Sequence, residues 1–281
     1  MSPIVYLNGS YLDKDQARIS PDDRGFLFGD GIYEVARAYG GVFFALDRHL
    51  NRLAYGLAAL RIQGVDAHDL EPVCHELLAR NGMAKSDAIV YLQVTRGAAP
   101  RTHAFPDPHV EPTVYATVSP LKPKGDQSVG VGVITAPDVR WTRCDIKSVA
   151  LLANCLAAQA AREADVPEAV LLRDGVALEG THTSFFGVID GVVRTAPLSN
   201  YILPSITRAV VLEICEEAGI PYREFPVLQH ELWTADELFL VSTTAEVMPI
   251  VSVDGRAVAS GKPGPVARRL LELFGERAVG R

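Results

Sequence analysis

Residues 139–165 read VRWTRCDIKSVALLANCLAAQAAREAD. One lysine, Lys147, stands between an Arg-Cys-Asp-Ile segment and a run of small apolar residues that carries no charge from Val149 to Ala161. The pattern predicts a helix that follows the lysine and draws it toward the interior. A buried amine costs free energy unless something uses it. In apolar surroundings its pKa falls, and it becomes a nucleophile able to condense with an aldehyde. A solvated lysine at a helix start is the commoner use of the residue, so the rest of the chain has to decide.

Upstream, IVYLNGSYL predicts a hairpin turning at Asn8-Gly9, and IYEVARAYGGVFFAL a second turning at Gly40-Gly41. DRHLNRLAYGLAALRI predicts a helix capped by Asp47, with Leu50, Leu53, Leu57 and Leu60 on one stripe. A further helix is expected from about His68 to Arg80, then paired strands in AIVYLQVTRG and PTVYATVSP. SPLKPKGDQS, with two prolines, a glycine and mixed charge, reads as a linker. Beyond it lie the alternating VGVGVITAPDV, the helix after Lys147, short strands in EAVLLRD and SFFGVIDGVVRTA, and a helix from about Ser205 to Ala218. A short helix, the strand ELFLVST, a hairpin at Asp254-Gly255 and a C-terminal helix complete the chain. The fold class is α+β with many antiparallel strands, and the lack of regular βαβ alternation disfavours Rossmann and TIM folds. The expected domains are a small N-terminal α/β domain over residues 1–118, a linker at 119–127, and a larger C-terminal domain over 128–281 that carries Lys147.

A lysine used for imine chemistry suits pyridoxal 5'-phosphate, which needs a phosphate site and an acid beside its ring nitrogen. In LPSITRAVV, Ser205 caps a helix whose first turn holds Ile206 and Thr207, and free amides at a helix start bind phosphate. LVSTTAEV ends a strand in the hydroxyls Ser242, Thr243 and Thr244. Ordinary capping and turn chemistry competes with both. Arg52 offers a cation one turn from Arg48, although that face of the helix also reads as solvated. Glu179, in VALEGTHTSFFGV, is an isolated carboxylate between two β-like segments, which competes with a plain turn glutamate. TRGAAPRTHAFPDP presents Arg96, Arg101 and His103 on a loop. Arginine holds a carboxylate through two parallel hydrogen bonds, and a surface loop is the competing reading.

Composition bounds the rest. The 281 residues are 48% hydrophobic and 22% charged, enough for a substantial core, and the net charge of −7 is a poor match for nucleic acid or anionic membrane. The four cysteines form no CxxC pair and no His/Cys cluster has zinc spacing, so no metal is expected. MSPIVYLNGSYLDKDQ lacks the features of a signal peptide, and the apolar run after Lys147 is too short for a bilayer, so a cytoplasmic location is expected.

Together DDRGFLFGDGIYEVARAYGG, TRGAAPRTHAFP, RCDIKS, LEGTHTS, LPSITR and STTAEVMPIVSVDG resemble the D-amino-acid aminotransferases. These belong to the fold type IV, class IV pyridoxal-phosphate aminotransferases. The resemblance covers nearly the whole chain, and PRTH points to the D-amino-acid branch. It implies two α/β domains with pyridoxal 5'-phosphate in the interdomain cleft. It implies that Lys147 holds the cofactor and moves the proton, that Glu179 partners the ring nitrogen, and that Arg52, Ile206, Thr207 and Thr243 hold the phosphate. It further implies that Tyr33, Arg101 and His103 trap the substrate carboxylate, the last two reaching in from the other subunit of a homodimer. The reaction implied is transfer of an amino group from a D-amino acid to a 2-oxo acid, 2-oxoglutarate or pyruvate. Branched-chain L-amino-acid or (R)-amine transamination, an aminodeoxychorismate-type lyase and a non-catalytic interaction module stand as alternatives. Against the family pattern, His182 and Ser184 occupy a serine-rich run that often ends in asparagine, and Met248 takes a threonine position.

Overall fold

In this computed structural model residues 2–122 and 125–279 are described. The chain divides into two units, Met1–Lys122 with Ile146–Leu151, and Pro123–Asp145 with Leu152–Arg281. Pro123 and Lys124, inside the expected linker, lie outside the described residues. The division departs from the expected domains at one place that matters. Lys147 belongs to the N-terminal unit, not to the C-terminal one.

The first unit contains β1 (Ile4–Leu7), β2 (Ser10–Asp13), α1 (Arg24–Phe28), β3 (Gly31–Tyr39), β4 (Val42–Phe43), α2 (Leu46–Leu60), α3 (Glu71–Arg80), β5 (Ala88–Thr95) and β6 (Thr113–Pro120). The strands form one antiparallel sheet in the order β2-β1-β6-β5-β3-β4. Alternation sets its two faces: Ile32, Glu34, Ala36 and Ala38 of β3 are buried, as are Ala88, Val90, Leu92 and Val94 of β5. Leu50, Leu53 and Leu57 of α2 and Val73 and Leu77 of α3 join the same core. Both predicted hairpin turns form, and Asn8 and Gly9 take the positive φ that a two-residue turn requires. Asp47 does not cap α2. The cap position is Ala45, in the left-handed region, and Asp47 sits in the first turn, where its negative charge favourably meets the positive end of the helix dipole.

The segment Ile146–Leu151 is extended. Ser148 bridges Ile32 antiparallel, the Tyr33 amide donates to the Lys147 carbonyl at 3.0 Å, and the Val149 amide to the Gly31 carbonyl at 3.0 Å. Backbone pairing therefore carries Lys147 onto β3, with Ile146 in the core of this unit.

The second unit contains β7 (Val131–Pro137), α4 (Leu152–Glu163), β8 (Ala169–Arg173), β9 (Val176–Gly180), β10 (Ser184–Ile189), β11 (Val192–Thr195), α5 (Ile206–Glu217), β12 (Tyr222–Arg223), β13 (Val227–Leu228), β14 (Glu237–Ser242), β15 (Glu246–Val253), β16 (Arg256–Ala257) and α6 (Pro265–Val279). The strand order is β12-β11-β10-β14-β15-β7-β8-β9-β13, with β16 on β15. β9 also pairs with β10, so the sheet closes on itself through β10, β14, β15, β7, β8 and β9. β7 and β8 are parallel with α4 between them in sequence, as are β11 and β12 with α5 between them, two βαβ steps in an otherwise mainly antiparallel unit. The apolar run forms α4, as expected, but it is not a buried core helix. Only Ala157 and Ala161 are buried, while Leu152 and Leu156 are 73% and 61% exposed. No helix among the described residues is long and apolar enough to cross a membrane.

Candidate active site

In the first unit the site begins on β3, whose alternation sends Tyr33 and Glu34 to opposite faces. Tyr33 stacks on Tyr91 at 5.6 Å, and Lys147 Nζ lies 4.5 Å from the Tyr33 ring centroid. A half-buried ammonium over an aromatic face gains from the ring quadrupole. Glu34 enters the core facing α2, where His49 and Arg52, three residues apart, share one face. Arg52 donates to Glu34 through Nε (2.6 Å) and Nη2 (2.8 Å), and His49 Nδ1 lies 2.8 Å from Glu34 Oε2.

Burial pushes the Glu34 carboxyl up, but Arg52 and His49 outweigh it and bring it down to about 2. Burial likewise lowers the His49 imidazole, further than Glu34 can raise it. The pair is thus an ionised carboxylate and a neutral histidine, and Nδ1 must carry the proton it gives to an acceptor-only oxygen. Arg52 is therefore not on a solvated face. Its fork is set by a wholly buried carboxylate, with the side chain 8% exposed.

Arg101 and His103 occupy an exposed loop of the same unit. The Arg101 guanidinium lies 5.3 Å from the Phe28 ring centroid and the His103 ring 5.7 Å from it. Arg96 is not available for a carboxylate ligand. It is buried and committed to Asp30 (2.7 and 2.9 Å), the Leu60 carbonyl and the Arg61 carbonyl.

In the second unit Glu179 ends β9 and is buried. Its Oε2 accepts from Arg140 Nη1 at 2.6 Å and its Oε1 from the Leu203 amide at 3.0 Å. Arg140 is itself bound to the buried Asp138 through Nε (2.9 Å) and Nη2 (3.0 Å). Burial opposes the Arg140 charge, yet Asp138 and Glu179 outweigh it and raise its pKa further. Burial also raises the Asp138 carboxyl, and the Arg140 hydrogen bonds more than reverse this. Glu179 is thus a carboxylate fixed by two donors, each aimed at a different oxygen.

Register groups the remaining residues. Leu171, Glu179, Ser184, Val241 and Val247 form one row across β8, β9, β10, β14 and β15. One residue past Val241, Ser242 ends β14, and Thr243 opens the β14–β15 turn, so Glu179 and that turn share one end of the sheet. Leu203, bonded to Glu179, is three residues before α5. Ser205 caps α5 by accepting from the Arg208 amide at 3.2 Å, and the amides of Ile206 and Thr207 follow in its first turn, where a helix offers no acceptor. Within this unit Glu179 is thus tied to the segment that leads into α5, and it shares a sheet end with the turn that carries Thr243.

Glu168 organises the turn after Glu179. Buried, it accepts from the Ala169 amide (3.0 Å), the Thr181 amide (2.9 Å) and Thr183 Oγ1 (3.1 Å), and pairs with His182 Nδ1 at 3.0 Å. A Cβ on Gly180 would stand 2.0 Å from Thr183 Oγ1 and 2.9 Å from Glu168 Oε2, so this network requires glycine there. Sequence reading missed Glu34, His49, Asp138, Arg140 and Glu168. Glu34 carried one usable signal, a charge in the buried phase of an apolar strand.

The class IV aminotransferase family model matches residues 31–253. The chain is 43% identical to D-alanine aminotransferase of Bacillus licheniformis over 95% of this chain and 94% of that one. It is 40% identical to D-alanine aminotransferase of Staphylococcus haemolyticus over 96% of each. The solved branched-chain aminotransferase of the archaeon Thermoproteus uzoniensis, with norvaline, superposes with a TM-score of 0.88 at 27% identity, covering 100% of this chain and 96% of that one. Lys147, Glu179 and Arg52 all lie inside the matched region, and the chain belongs to the class IV aminotransferases.

Proposed function

We propose that the chain is a pyridoxal-phosphate-dependent D-amino-acid transaminase, moving an amino group from a D-amino acid to 2-oxoglutarate or pyruvate. The observation that carries the reading is that each unit holds residues chemically suited to a part of that cofactor. One unit holds a half-buried lysine over a tyrosine, and an arginine set by a buried carboxylate. The other holds a buried glutamate bonded by Arg140 and by the Leu203 amide that leads into α5, with a hydroxyl-bearing turn at the same sheet end.

The residues fit the cofactor. Glu179, held by Arg140 and the Leu203 amide, suits a protonated ring nitrogen. Arg52, the amides of Ile206 and Thr207 and the Thr243 hydroxyl supply the cation and donors that a phosphate takes. Lys147 supplies the amine that holds the aldehyde. Bound there, pyridoxal 5'-phosphate supplies an electron sink for the substrate carbon. Lys147 Nζ takes the proton from the substrate Cα and returns one from the same position in the reverse half-reaction. Tyr33, Arg101 and His103 fix the α-carboxylate, so that the Cα–H faces the lysine. Identity of 43% and 40% to D-alanine aminotransferases supports the D-branch.

The chain is proposed to work in the cytoplasm as a homodimer, with Arg101 and His103 completing the neighbouring site. The exposure of both residues supports this, as does Phe26, 77% exposed on α1. Incubating the enzyme with D-alanine and 2-oxoglutarate tests the reading. Pyruvate and glutamate forming in equal amounts supports it. Pyruvate formed without acceptor, or no product from D-alanine while L-leucine reacts, overturns it. The likeness to a branched-chain aminotransferase makes L-leucine the informative competitor.

A further inference from the structure

The loop that carries Arg101 and His103 is exposed from residue 101 to residue 105. Alanine, threonine and histidine at such a surface give it little of its own to hold a shape. Its backbone is nevertheless tied down by one buried side chain. Arg24, at the first position of α1, sends Nη1 to the Thr102 carbonyl (2.6 Å) and the Ala104 carbonyl (3.3 Å), and Nη2 to the His103 carbonyl (3.3 Å). Its Nε donates to Asp30 Oδ2 at 2.8 Å, and Arg96 grips the same carboxylate through Nε and Nη2. The Arg24 and Arg96 side chains are 3% and 8% exposed. At the far end of the loop the Phe105 ring lies against Arg96, whose guanidinium is 3.5 Å from the ring centroid. Three consecutive carbonyls gathered by one guanidinium fix the peptide planes on both sides of His103. Only a planar fork with several donors does this, and a lysine ammonium does not.

We propose that Arg24, held by Asp30 and Arg96, is a positioning residue for substrate binding, setting the backbone of residues 102–104 so that Arg101 and His103 present their donors to the substrate α-carboxylate. The inference rests on the carboxylate role proposed for those two residues. Arg24 itself meets no substrate.

The test measures KM and kcat for D-alanine and 2-oxoglutarate on holoenzyme carrying Arg24→Lys, Arg101→Ala/His103→Ala, and the three changes combined. Amide hydrogen exchange is followed in the peptide spanning residues 101–105. Arg24→Lys is expected to raise both KM values by about tenfold, the scale of one charge-assisted hydrogen bond, with kcat held within about twofold. Exchange in the loop should quicken. Added to Arg101→Ala/His103→Ala, Arg24→Lys should cost nothing more, because its effect passes through those side chains. Unchanged KM in Arg24→Lys, a fall in kcat alone, or an equal penalty in both backgrounds overturns the positioning role. Unchanged KM in Arg101→Ala/His103→Ala removes the carboxylate reading and the positioning with it, so the two failures are distinct. Should Arg24→Lys not yield folded holoenzyme, Asp30→Asn, which loosens Arg24 together with Arg96 and leaves the loop's own residues unchanged, is read by the same criteria.

Discussion

Lys147 meets the Tyr33 ring at 4.5 Å because the two backbones are hydrogen-bonded: the Tyr33 amide donates to the Lys147 carbonyl. A residue held by its own backbone keeps its place when the side chain changes. Lys147→Ala is therefore expected to fold normally and to lose turnover by several orders of magnitude, since both the covalent anchor and the proton carrier go. Near wild-type transamination by that variant contradicts the assignment. At Glu179 the expected loss is smaller. Glu179→Gln keeps one acceptor oxygen, for Arg140 or for the Leu203 amide, and sets an NH2 group against the other donor. Lys147 and the phosphate-site residues are untouched, so cofactor should stay bound, but an amide does not hold a ring nitrogen protonated. The half-reaction, followed by stopped-flow absorbance, should slow by about 100-fold or more. An unchanged rate removes Glu179 from the ring. Lys147 and Glu179 were legible in the sequence because each is a lone charge against apolar neighbours. Arg140 and Asp138 were not, because a charged pair two residues apart looks the same whether it is buried or solvated.

At the scale of elements, β3 and α2 act as one device. The carboxylate of Glu34 lies well below its ordinary value in the folded chain, so its ionised form stabilises the fold at pH above about 4.3, the unfolded value. That contribution is lost as pH falls toward about 2. His49 is lowered too and opposes folding once it must charge, so its effect has the same sign: stability present above its ordinary range is lost in acid. Glu34→Gln should cost about 1.5–3 kcal/mol at neutral pH, the scale of a charged hydrogen bond. It should also flatten the acid limb of melting temperature against pH, and parallel curves for the two proteins contradict this. Gly180→Ala should destabilise by about 1–3 kcal/mol through overpacking against Thr183 and Glu168, read by denaturant unfolding, while an unchanged midpoint argues against that crowding. Helices and hairpins were legible from periodicity and turn residues. What escaped was the route of residues 146–151. The apolar run predicted a buried helix and hence a buried lysine, whereas α4 leaves its leucines exposed and strand pairing brings the lysine to β3. Pairing partners distant in sequence leave no local periodicity to read.

For the whole molecule, the proposed homodimer makes a sharp prediction. Lys147→Ala and Arg101→Ala subunits, each impaired alone, should recover activity when mixed and reassembled. A hybrid then has one site with both residues intact, and random reassembly restores about a quarter of wild-type sites. No recovery places Arg101 in its own subunit's site.

The stereochemical assignment is the claim everything else serves, and a single-turnover panel addresses it most directly. Holoenzyme is mixed separately with D- and L-alanine, D- and L-glutamate, L-leucine and (R)-1-phenylethylamine, and the cofactor spectrum is followed. The arrangement of Lys147, Arg101 and His103 proposed above predicts rapid conversion by D-alanine and D-glutamate and slow or no conversion by their mirror images. Conversion by L-leucine or the amine, with both D-amino acids silent, contradicts it.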